Sequence, residues 1–203
     1  MNSYLSQKKK TSPQRSSRWS RQRIFNTIIL AVVLIVIVVV TAYVFSNSAS
    51  VVLPDYLNRC IPLQTTGSPS PYAYSSTPQL LITINGVNQT IPYNIGILGT
   101  CVRPLHTFQT FSNVYGTIHI DTDVDRTYTL GDFFQVWGSS YGPQFATFSQ
   151  NQLFNIKTDS THSIRMIVNN VTDTVDFQNL IFPRDASTLA KPFQVRIIYG
   201  PIP

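Results

Sequence analysis

Two hydrophobic periods divide the chain. From Ile24 to Phe45, IFNTIILAVVLIVIVVVTAYVF, apolar residues leave no polar face, and no charged residue occurs from Ile24 until Asp55. A helix of this run is about 33 Å long at a rise of ~1.5 Å per residue. That covers a hydrocarbon core of about 30 Å. Backbone groups in lipid must bond to one another, so a helix is expected despite the many β-branched residues. Small residues are too sparse in the run to make a GxxxG-type dimer face.

Past the run the period shortens to two. The stretch LLITI–NG–VNQTI reads as a hairpin about Asn85-Gly86, because a type I′ turn needs positive φ at both central residues. IRMIV–NN–VTDTV repeats the device around Asn169-Asn170, since asparagine tolerates the left-handed region. Further strands are expected near Thr117–Asp121, Ala146–Phe148, Phe154–Lys157, Ile164–Val168, Val171–Val175 and Phe193–Tyr199. In TIHID, Ile118 and Ile120 share one face, and His119 and Asp121 the other.

One short helix interrupts the strands. Thr129 is its expected N-cap, with Asp132 closing a capping box three residues on. Leu130, Phe133, Phe134 and Trp137 fall at helical spacing, and Gly138 is the expected C′ residue. The reading is mainly β, or α+β: an N-terminal transmembrane helix, then an extracellular antiparallel β domain with one short helix, built as a sandwich, small barrel or roll.

Charge orients the apolar helix. Lys8, Lys9, Lys10, Arg15, Arg18, Arg21 and Arg23 precede it without any acid, so of the total +6 the rest of the chain carries −1. The positive-inside rule puts residues 1–23 in the cytoplasm as a disordered basic tail, 24–45 in the lipid bilayer and the remainder outside. A cleaved signal peptide is the rival, with Ser48-Ala49 as its cleavage site. The basic pI belongs to the tail and suits anionic lipid heads, so it is no sign of a nucleic-acid partner.

Residues 46–78, punctuated by Pro54, Pro62, Pro69, Pro71 and Pro78, read as a stalk, with Val51–Leu63 apolar enough to pack on the domain. The domain proper is expected over 79–203. All nine acids are aspartate.

Cys60 and Cys101 both fall on the exported side, where a disulfide is permitted. A bridge closing a loop of about 40 residues would stabilise by about 4 kcal/mol. An intermolecular bond through Cys60 and two free thiols are the alternatives. Asn88-Gln89-Thr90 and Asn170-Val171-Thr172 are glycosylation acceptors at hairpin tips.

Three blocks carry a resemblance: Cys101-Val102-Arg103-Pro104-Leu105-His106-Thr107, Gly116-Thr117-Ile118-His119-Ile120-Asp121, and Tyr128 through Gly138, YTLGDFFQVWG. Together they resemble a largely uncharacterised family of membrane-anchored or secreted proteins of archaea and some bacteria. Its pattern runs C-x-x-x-LHTHD, then G-x-IHIE, then TLG-x-FF-x-x-WG. The resemblance covers about Gln79 to Tyr199 and implies an archaeal source more than an activity. It also implies a metal site. His106 and His119 match; Phe108 stands at the second histidine, Gln109 at the aspartate and Asp121 at the glutamate, and Thr110–Tyr115 lengthens the spacer.

Two histidines and a carboxylate could hold a divalent ion, copper or zinc, with one position open. The alternative is that His106 and His119 are hydrogen-bonded structural residues. No other cofactor is implied.

Gly138-Ser139-Ser140-Tyr141-Gly142 matches the nucleophile-elbow expression, but a helix precedes it and Pro143 follows, so a turn is expected and no catalytic residue is assigned. Asp121, Asp123 and Asp125 alternate like calcium ligands but lack the loop glycine and closing glutamate. The leading expectation is a non-enzymatic, single-pass envelope protein displaying a β-rich domain to another envelope protein or a surface. A metal-handling domain and a pilin-like filament subunit are the alternatives. Protease added to intact cells should remove the C-terminal portion and spare residues 1–23; survival of the opposite fragment would overturn the orientation.

Overall fold

The computed structural model describes residues 18–46, 50–61, 72–108, 115–173, 176–185 and 192–202, and in the first helix the side chains of 25–39 only. The tail up to residue 17, Pro62, Pro69 and Pro71 of the expected stalk, and the lengthened spacer at 110–114 lie outside the described residues. The chain divides into two units, Met1–Asn47 and Ser48–Pro203.

The first unit carries α1, Arg18–Ser46. It begins six residues ahead of the expected 24, because arginine and glutamine are good helix formers. Every described side chain on it is exposed, Phe25 through Val39. Among the described residues no helix is long and apolar enough to cross a membrane.

The second unit is mainly β. It opens with the single turn α2, Asp55–Asn58. Then come β1 (Tyr74–Ser76), β2 (Gln79–Ile84), β3 (Val87–Gln89), β4 (Ile97–Leu98), β5 (Cys101–Val102), β6 (Leu105–His106), β7 (Gly116–Thr117) and β8 (His119–Thr122). Helix α3, Leu130–Tyr141, is followed by β9 (Gln152–Leu153), β10 (Ile156–Lys157), β11 (His162–Val168), β12 (Val171–Asp173) and β13 (Gln194–Pro201).

Both hairpins form as the turn chemistry requires. Asn85 and Gly86 have φ of 49° and 81°, and Asn169 and Asn170 have 50° and 69°. The main sheet runs β12-β11-β13-β2-β3, with β7 also on β2. It is not wholly antiparallel as expected, because β13 pairs parallel with β2 from Gln194↔Gln79 to Tyr199↔Ile84. The two strands come from opposite ends of the unit, so no hairpin dictates their direction. A second sheet runs β1-β8-β6, and β4–β5 and β9–β10 are separate ribbons.

The packed unit starts well before the expected Gln79. Leu53, Leu57 and Ile61 are buried, and Ile61 donates its N–H to Val102 at 2.8 Å. Cys60 and Cys101 are joined in a disulfide. Strand β1 is drawn from the expected stalk as well, pairing Tyr74↔Thr122 through Ser76↔Ile120. A proline-spaced stretch can still supply a three-residue strand where its N–H groups reach a sheet edge.

Helix α3 has the expected capping box: Asp132 N–H bonds to Thr129 Oγ1 and Thr129 N–H to Asp132 Oδ2. Its apolar face buries Leu130, Phe133, Phe134 and Trp137, with Phe134 stacked on Phe148 at 4.2 Å and Trp137 on Phe145 at 5.3 Å. The helix does not stop at Gly138 but runs to Tyr141, where Gly142 takes φ of 116° and donates to Gly138 O.

Gly138 therefore serves packing rather than capping. A Cβ there would lie within 2.6 Å of the Ala146 backbone nitrogen in the following 3₁₀ turn, Pro143–Ala146. Gly138→Ala gains helix propensity of about 1 kcal/mol but overpacks this contact. The net result is a loss of about 1–3 kcal/mol, to be measured as a lower denaturant midpoint with unchanged slope; a rise in the midpoint would refute the packing role.

Candidate functional site

Strand pairing assembles the site. In the β6–β8 ladder His106 sits directly opposite His119, and directly opposed residues share a sheet face. Asp121 follows His119 by two residues and so shares that face, while Ile118 and Ile120 turn to the core. The Asp121 N–H continues the ladder to the Pro104 carbonyl at 3.0 Å. His106, His119 and Asp121 thereby bring one ligand atom each within 4.8 Å of one another.

His106 is 1% exposed. Its Nδ1 lies 2.9 Å from the Arg103 carbonyl, which can only accept, so Nδ1 carries the proton. In the neutral ring Nε2 is then a bare lone pair. That atom is buried without a hydrogen-bond partner and stands 3.6 Å from Asp121 Oδ2. Two acceptors facing each other in a buried place repel unless a proton or a cation comes between them. The second Asp121 oxygen accepts from Ser75 Oγ at 2.5 Å, across the β1–β8 pairing.

The His106 and His119 rings stack at 5.5 Å between centroids and 16° between planes. Phe108 sets a steep contact with both, at 4.7 and 5.1 Å, and is 41% exposed. It forms an apolar wall where the resembled pattern has a third imidazole. Burial lowers the His106 imidazole to about 4, against the attraction of Asp121, and His119 repels it further. Burial lowers His119 too, again opposed by Asp121. Both rings are thus held in the uncharged form that a metal requires.

Arg103 locks the turn ahead of His106. Its guanidinium donates to Ser139 Oγ at 3.1 Å and Asn58 Oδ1 at 2.9 Å, tying it to α3 and to the turn beside Cys60. Neither Arg103 nor Ser75 is picked out by sequence reasoning. Arg103 has the right separation for a backbone partner of His106, whereas Ser75 lies in the stretch read as stalk.

Other sequence candidates disperse. Ser140 lies inside α3, donating to Val136 O and accepting from the Gly96 N–H, so it is no nucleophile on an elbow. Asp123 pairs with Arg59 at 2.6 Å and Asp125 with Arg184, so the three alternating aspartates face different partners. Arg126, just past that turn, lies 3.5 Å over the Tyr56 ring. Asn88 and Asn170 are exposed on hairpins, and Asn88 spends its side-chain oxygen on Thr83. No family model, curated protein or solved structure matches the chain.

His106 makes stability depend on pH in the metal-free protein. A folded value of about 4 lies below the ordinary 6.5. The unfolded chain then binds the extra proton between these values, so stability is full above 6.5 and drains as pH falls toward 4. The shift corresponds to about 3 kcal/mol. Denaturation at pH 7 and pH 4 should show this fall, and His106→Gln should remove most of it; an unchanged slope in the variant would exclude His106 as its source.

Proposed function

We propose that the chain is a single-pass membrane protein with a cytoplasmic N-terminus, and that its extracellular β-rich domain binds a divalent metal ion, zinc or copper, through His106, His119 and Asp121. The single observation that carries the metal reading is the buried Nε2 of His106, without a hydrogen-bond partner and facing a carboxylate oxygen at 3.6 Å. Ligand atoms about 2.1 Å from one tetrahedral zinc stand about 3.4 Å apart. The His106–Asp121 pair is already near that spacing. The widest separation in the set, 4.8 Å, would need to close by about an ångström and a half.

The surroundings support a built site. Arg103 O orients His106 and Ser75 orients Asp121, the outer partners that fix tautomer and angle around metal ligands. Three protein ligands leave a fourth position for water or an incoming group, the arrangement of an exchangeable rather than a closed structural site. Phe108 borders the cluster and limits water beside it.

The membrane placement rests on the charge-free run Ile24–Phe45 and the seven cations before it. The Cys60–Cys101 bridge favours an oxidising exterior for the second unit, and glycosylation at Asn88 or Asn170 belongs to the same placement. The expectation of a display domain touching an envelope protein or a surface keeps one specific support, the outer face of the main sheet.

Calorimetric titration of the full chain in detergent with Zn²⁺ and with Cu²⁺ tests the metal reading. One ion per chain should bind with a dissociation constant in the micromolar range or tighter. His106→Gln and His119→Gln should each weaken it at least tenfold. No uptake at micromolar concentrations, or uptake indifferent to both substitutions, would overturn it.

A further inference from the structure

The outer face of the main sheet carries groups that no role above uses. Alternation along β13 buries Val195, Ile197 and Tyr199 and turns Gln194, Arg196 and Ile198 outward. Register extends that outward face to Arg165 and Ile167 on β11 and to Leu81 and Thr83 on β2. Arg165 lies opposite Ile198, and Arg196 opposite Ile167. The two arginines are therefore diagonal neighbours, about 7–8 Å apart in ordinary sheet geometry.

Both arginines want an anion. Each Nε is buried and lacks a hydrogen-bond partner. Among the described residues neither joins an ion pair, and no acid occupies an outward position on β2, β3, β11, β12 or β13. Like charges at neighbouring sheet positions repel, and a buried Nε without a partner costs free energy that an anion bonded to Nε and one Nη would recover. Leu81, opposite Arg196 in the register, is only 6% exposed although it points away from the core.

We propose that this face binds an acidic polysaccharide, with sugar carboxylates held by Arg165 and Arg196. The flanking groups suit a sugar chain. Beyond the bonds Thr83 Oγ1 makes to Asn88 Oδ1 and Gln194 Nε2 to Gln79 Oε1, the Asn88 amide N–H groups and the Gln194 oxygen remain for sugar hydroxyls, and Ile167 and Ile198 offer apolar contact to the C–H faces of the rings. A protein partner would draw on aromatic anchors, and no aromatic residue stands on the outward positions described. A lipid surface would draw on a cluster of several cations, and this face has two. The proposal is independent of the metal site, which lies on the other sheet.

Binding of the full chain in detergent to polygalacturonate is the test. The seven tail cations are replaced by glutamine in every arm, because they would bind any polyanion. N-glycans are removed because Asn88 lies on the same face. The chain should bind polygalacturonate and ignore the fully methyl-esterified polymer. Arg165→Gln/Arg196→Gln should lose at least tenfold in affinity at an unchanged melting temperature. Equal binding of the esterified polymer, an unaffected double variant, or tighter binding of polyaspartate or phosphatidylglycerol vesicles would overturn the proposal. Should the glutamine pair fail to fold, Arg165→Lys/Arg196→Lys carries the test: lysine keeps the charge and stem but not the fork, so a several-fold loss is expected and full affinity refutes the site.

Discussion

The strand that completes the main sheet comes last in the chain. β13 makes no hairpin with either neighbour; it enters between β11 and β2, antiparallel to one and parallel to the other. Its Val195, Ile197 and Tyr199 join the inner face to Leu80 and Ile82 on one side and Ile164 and Met166 on the other. Without it the two asparagine-turn hairpins would be separate ribbons, and isolated two-stranded ribbons are marginal in water. Closing the parallel pair costs the entropy of a loop of more than a hundred residues, which grows only slowly with length. Six consecutive register pairs and a shared apolar face offset it.

The candidate site sits on the smaller sheet, and its rigidity comes from three directions. β6 supplies His106, β8 supplies His119 and Asp121, and β1 supplies the serine that fixes the carboxylate. Arg103 then ties the turn before His106 to α3 and to α2. The imidazole tautomer is therefore set by backbone geometry rather than by the site's own charges. An uncharged nitrogen aimed at a carboxylate is the feature on which the proposed metal site rests.

Local chemistry was readable from residues, and long-range geometry was not. Asn85-Gly86 and Asn169-Asn170 announce their turns because positive φ is a local demand, and Thr129 with Asp132 announces the start of α3 for the same reason. Gly138 misleads because a glycine at a helix end and a glycine beneath a neighbouring turn look alike until Ala146 is in place. The β2–β13 pairing leaves no mark in either strand, since alternation encodes a face and not a partner. His119 and Asp121 were legible as one face of a strand. That His106 stands opposite His119, and that Ser75 reaches Asp121 from a proline-rich stretch, are facts of register alone.

The position of the cystine has a consequence for biogenesis. Cys101 lies two residues before Arg103, and Cys60 follows directly on the turn whose Asn58 accepts from the Arg103 guanidinium. Oxidation of the thiols thus staples together the two segments that aim the His106 ring. In the placement proposed above, a freshly translocated polypeptide would have its imidazole fully stapled only after giving up two electrons to an acceptor beyond the membrane. On that proposal, maturation of the pocket would be timed by thiol oxidation and not by translation.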